Sequence, residues 1–98
     1  MPIAKASVLT VHGAKYMQQL CKHWSHKLEV DLSEQRGAVK FPAAVATFEP
    51  RSDALEVKIE GEEGEAIERL KGVVASHLDR FAFREAPLRF DWSGPQDR

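Results

Sequence analysis

The sequence predicts an α+β two-layer sandwich, one mainly antiparallel sheet with two helices on one face. Three observations carry that expectation. The apolar period switches along the chain in the order β-α-β-β-β-β-α-β. Four of the strands follow one another through short turns, the connection that antiparallel neighbours use. Each helical stretch has a single apolar stripe, while the outward strand positions are polar, so both stripes must be buried on the same side of the sheet.

Taken in order, residues 3 to 11 (IAKASVLTV) are small and β-branched and stop at His12-Gly13, a strand followed by a turn. AKYMQQLCKHWSHK, 14 to 27, then places Tyr16, Met17, Leu20, Cys21 and Trp24 on one helical face. From Leu28 the period becomes two, with Leu28, Val30 and Leu32 inward and Glu29, Asp31 and Ser33 outward. Glu34 to Gly37 turn the chain. AVKF and AVATFEP read as two strands broken near Pro42, because proline cannot donate within a central ladder. ALEVKIE alternates cleanly and ends at Gly61.

The second helix is predicted from about Glu62 to about Phe83. Its acids stand first and Arg80 and Arg84 last, as the helix dipole favours. Ala86-Pro87 is expected to stop it, since a residue before proline avoids helical geometry. LRFDW, 88 to 92, alternates as a final strand, and residues 93 to 98 read as a frayed polar tail. The expected core is Leu20, Trp24, Val57, Ile59, Leu70, Val74, Leu78, Phe81 and Phe90.

Ninety-eight residues bound the chain to one domain, and 43% hydrophobic with 30% charged residues place it among foldable globular proteins. The lone Cys21 allows no internal disulfide, and no second cysteine offers a structural zinc site. A soluble, cytoplasmic setting follows, since the first apolar run is too brief for a signal segment and nothing approaches the roughly 20 apolar residues of a span. The net charge of −1 is unevenly placed: residues 1 to 27 hold four lysines, three histidines and no acid, whereas 49 to 68 hold eight acids against Arg51 and Lys58. The outward strand positions carry more acids than bases, which argues against nucleic acid as a partner. AVKFPAAVATF is apolar on both faces, which favours either double cover or a homodimer contact.

The stretches YMQQLCKHWSHK, FPAAVATFEP, DALEVKIE and HLDRFAFREAPLRFDW together resemble a family of small bacterial proteins, domain of unknown function 2218 (DUF2218). The similarity spans nearly the whole chain, and His77 to Glu85 is its most specific block. What the resemblance implies is a bacterial origin, no established activity, and an association with siderophore-interacting and iron-uptake proteins.

CKHWSHK, 21 to 27, is the densest cluster of reactive side chains. Cys21 and His23 point about 200° apart on a regular helix and cannot share an ion. His23 and His26 can, but two ligands are too few for zinc, and only His77 from the second helix could complete a set. A packing role for His23 beside Tyr16 is the leading reading. His77 falls in the second apolar stripe, where a neutral ring would need a partner for its N–H: the Tyr16 hydroxyl or a backbone carbonyl. As a general base it lacks a nucleophile, for Ser76 sits in no elbow motif. Arg80 and Arg84, four apart, can grip a carboxylate or phosphate, or else compensate the dipole and pair with an acid such as Glu85.

The sequence therefore favours a non-enzymatic binding domain for a small anionic ligand or a protein partner, with no cofactor. Its site would lie on the helical side, from Tyr16, His23, His26, His77, Arg80 and Arg84, with Trp24 as a wall. The alternative is a metal-binding or His/Arg-based enzyme.

Overall fold

The computed structural model describes residues 2–85 and 88–97. The order is β1 (Pro2–Leu9), α1 (Gly13–Trp24), β2 (Glu29–Leu32), β3 (Gly37–Lys40), β4 (Ala44–Pro50), β5 (Ala54–Gly61), α2 (Gly64–Phe81) and β6 (Ser93–Asp97). The strands form one sheet in the order β2-β3-β4-β5-β1-β6, antiparallel at every junction. Both helices pack on one face, α1 over β2, β3 and β4, α2 over β5, β1 and β6, and they touch each other.

Register explains why the core is on one side. Ala4, Ala6 and Val8 of β1 stand opposite Ile59, Val57 and Leu55 of β5, and Ala46 and Phe48 of β4 stand opposite Ile59 and Val57. Because side chains alternate, these residues share the face that meets Met17, Leu20, Cys21, Ile67, Val74 and Leu78 from the helices. Burial of each large apolar side chain there stabilises the fold by about 1.5–3 kcal/mol. Gly37 lets α1 come close to β3: a Cβ at this position would stand 2.7 Å from Cys21 Sγ and 3.2 Å from Met17 Cγ. Among the described residues, no helix is long and apolar enough to cross a membrane.

Several boundaries differ from expectation. α1 ends at Trp24, because the Ser25 hydroxyl donates to the Lys22 carbonyl and the N–H groups of Lys27 and Leu28 both turn back to the Trp24 carbonyl. His26 consequently leaves the helix. α2 starts at Gly64, after an extended Glu63, and stops at Phe81. The expected stop at Ala86-Pro87 lies outside the described residues. Leu32, expected inward, is 38% exposed, because β2 is an edge strand with a neighbour on one side only.

The final strand is the main correction. Residues 88 to 92 join no ladder, and Ser93–Asp97, expected to be a frayed tail, pairs with β1 through a bulge between Ile3 and Lys5. The alternation of Leu88, Phe90 and Trp92 is real, since all three are half-buried against the core and Phe90 stacks on Trp92 at 5.7 Å. Alternation reports which face a side chain seeks, whereas ladder pairing uses backbone groups and needs no apolar residue at a sheet edge.

Candidate functional site

A groove runs between the two helices. On α1 its wall is Lys15, Gln19 and His23, spaced i, i+4, i+8 and therefore one above another on a helix. On the α2 side it is lined by His77, Arg80 and Phe81, continued by Phe83 and Arg84 in the turn beyond. The groove contains two hollows. One, about 220 Å³, is lined by His23, His77, Arg80 and Phe81. The other, about 210 Å³, is lined by Lys15, Tyr16, Gln19, Phe81, Phe83 and Arg84. Phe81 belongs to both linings.

Packing and one hydrogen bond hold the first hollow together. The rings of His23 and His77 lie 5.3 Å apart, and His77 is also 5.2 Å from Trp24, which stacks on Phe48 of the core. His77 Nδ1 donates to the Val73 carbonyl at 2.7 Å, the backbone alternative of the two expected partners. A carbonyl only accepts, so this bond fixes the proton on Nδ1 and leaves Nε2 as the second ring nitrogen for another partner.

A carboxylate that the sequence reading did not place as a partner of Tyr16 secures the second hollow. Tyr16 donates its hydroxyl proton to Glu85 Oε2, and Thr10 Oγ1 lies 3.0 Å from each Glu85 oxygen. Both Tyr16 and Thr10 are 5% exposed. Burial pushes the Tyr16 phenol up to about 12, with the Glu85 hydrogen bond and charge adding in the same direction. Tyr16 thus offers its ring to the hollow, while its hydroxyl is committed. The bond anchors the turn 82–85, which carries Phe83 and Arg84, to the junction of β1 and α1.

The charges of the groove are largely unspent. Among the described residues, Lys15, Arg80 and Arg84 form no ion pair, and the Arg84 guanidinium lies over the face of Phe83 at 5.7 Å. Gln19 Oε1 is buried with no hydrogen-bond partner among the described residues. Nearby acids are engaged: Glu85 as above, and Asp79 Oδ1 by the Leu88 N–H at 3.1 Å. A concave, cationic and partly aromatic surface of this kind suits an oxyanion, which guanidinium groups bind with forked hydrogen bonds.

Of the six residues expected in a site, the structure brings His23, His77 and Arg80 to one hollow and Tyr16 and Arg84 to the other. His26 is exposed beyond α1 and lines neither. Among the described residues no three His, Cys, Asp or Glu side chains gather as metal ligands. Trp24 is buried in the core, so it is not a ligand wall. Lys15, Gln19 and Phe81 were missed as site residues, although the i, i+4, i+8 row to His23 was available as a signal.

Two other hollows fit an anion less well. One of about 520 Å³ lies where the β3–β4 turn meets the start of α2. It is lined by Glu62 and Glu63, and its Lys40 already pairs with Glu29 at 2.6 Å. One of about 240 Å³ on the outer sheet face mixes Lys5, Arg51 and Lys58 with Glu49 and Glu56.

Comparison with known proteins agrees with the architecture. A family described as "Uncharacterized protein conserved in bacteria (DUF2218)" matches residues 5–93. The NMR structure of PA4090 from Pseudomonas aeruginosa is similar with a TM-score of 0.85 and 29% sequence identity, over 99% of this chain and 100% of that one. No curated protein matches.

Proposed function

This chain belongs to the bacterial DUF2218 family, and from that premise we propose that it is a non-enzymatic binding domain whose α1–α2 groove holds a small anionic ligand. The observation that carries this reading is the set of cations with no ion pair among the described residues, Lys15, Arg80 and Arg84, lining concave surface between the helices. His23 and His77 add ring nitrogens beside Arg80. A binding role is favoured over a catalytic one because the candidate nucleophiles are poorly placed. Cys21 is fully buried, with burial pushing its thiol up to about 11, so little thiolate forms near neutral pH. The Ser76 hydroxyl is turned back to the Val73 carbonyl at 3.2 Å.

The setting we propose is the cytoplasm, in iron or siderophore metabolism, and its support is the family resemblance. A transcript whose level ignores iron starvation in the host would remove that setting. We also propose a homodimer, supported by the half-exposed Ala38 and Val45 on the outer face of β3 and β4. Light scattering that gives a monomer at high micromolar concentration would exclude it.

The binding reading is tested by calorimetric titration of wild type and a variant carrying both Arg80→Ala and Arg84→Ala with octanoate and inorganic phosphate. The expected result is binding that weakens by about tenfold in the variant, or about 1.4 kcal/mol. Equal affinity in both proteins would take both arginines out of the site.

A further inference from the structure

The groove is built as two anion subsites in tandem, and we infer that its ligand carries two oxyanion groups joined by an apolar spacer that crosses Phe81. The inference rests on the anion-binding reading above and specifies the ligand class. Each hollow has its own guanidinium, Arg80 in one and Arg84 in the other, and each has a second basic group contributed by α1. His23 serves the first and Lys15 the second. These two α1 residues are eight apart, which separates them by about 12 Å along the helix axis.

Between the charged ends the lining turns apolar. Phe81 borders both hollows, and its ring stands 5.9 Å from that of His23. One small anion can occupy one end only, leaving the other guanidinium unpaired and Phe81 uncovered. A ligand with an acid at each end and an alkyl or aromatic middle engages both arginines and covers the phenyl ring. Linking the two contacts makes the second one intramolecular, so the gain over a single-headed compound depends on spacer length.

The test is a calorimetric series on the full chain with succinate, octanoate and suberate, and with hexamethylene bisphosphonate beside suberate to tell phosphate from carboxylate ends. Octanoate matches the spacer with one charge, and succinate matches the charges with too short a spacer. Suberate or its bisphosphonate counterpart should bind at least about tenfold tighter than both controls, as expected for a second linked contact. Arg80→Ala and Arg84→Ala, both at exposed positions, should each reduce the two-headed compound to the affinity of octanoate. Octanoate binding with no gain for either long two-headed compound would overturn this inference and leave the anion site standing. No binding by any compound would overturn both.

Discussion

Replacing Tyr16 by Phe isolates the contact that fixes one wall of the groove. The phenylalanine ring keeps the buried volume, so no cavity is made, and the change is confined to one O–H. In the native chain that hydroxyl, on a side chain 5% exposed, donates to the Glu85 carboxylate, which Thr10 also contacts at 3.0 Å. A hydrogen bond to a charged group contributes about 1.5–3 kcal/mol, and Glu85 would keep Thr10 and some solvent access, so the loss should lie within that range. For a domain of this size, each kcal/mol lowers the melting temperature by about 4–8 °C. Urea unfolding followed by tryptophan fluorescence measures it, with the slope expected to stay unchanged. In a Glu85→Gln background, where the acceptor is neutral, Tyr16→Phe should cost about 1 kcal/mol or less. A wild-type cost below about 0.5 kcal/mol, or the same cost in both backgrounds, would refute the anchoring role.

Burial, then the Glu85 hydrogen bond and charge, push the Tyr16 phenol up from its ordinary 10.0 to about 12. Its protonated form therefore contributes stability that is complete below about pH 10 and lost as pH rises through about 12. The stability gap between wild type and Tyr16→Phe should narrow over that interval, and a constant gap would contradict the assignment. Gly37→Ala should destabilise by about 1–3 kcal/mol, because the new methyl meets Cys21 Sγ at 2.7 Å. Most of that loss should disappear in a Cys21→Ala background, and strict additivity would sink the steric account. Leu78→Ala, at a fully buried position, should cost about 2–5 kcal/mol by denaturant titration; a cost under 1 would place Leu78 outside the core.

What could be read in advance follows from what local patterns record. Tyr16, Leu20 and Trp24 announce a helix face, and Leu55, Val57 and Ile59 announce a strand face, because burial imposes the helical and strand periods directly on the residues. Element order and the shared helical face follow from those periods. The terminal ladder did not, because Ser93–Asp97 pairs through its backbone while the apolar alternation sits just before it. The bonds of Glu85 to Thr10 and Tyr16 span 75 and 69 residues, and no periodicity encodes a pairing at that range. The chain's one tyrosine and the acid closing HLDRFAFRE were visible separately. The basic residues were also legible, but their division into two hollows depends on how α1 lies against α2. His26 was lost from the group through a helix end placed three residues too late.

On the proposed reading, the α1–α2 groove, and not the outer sheet face, receives the anion. Backbone amide NMR during titration with suberate distinguishes the two, because the competing hollow at Lys5, Arg51 and Lys58, of mixed charge, lies on the opposite side of the sheet. Concentration-dependent shifts are expected at Lys15, Gln19, His23, His77, Arg80 and Arg84, with the amides around Lys5, Arg51 and Lys58 unmoved. Shifts centred on Lys5, Arg51 and Lys58, with the groove unchanged, would contradict it.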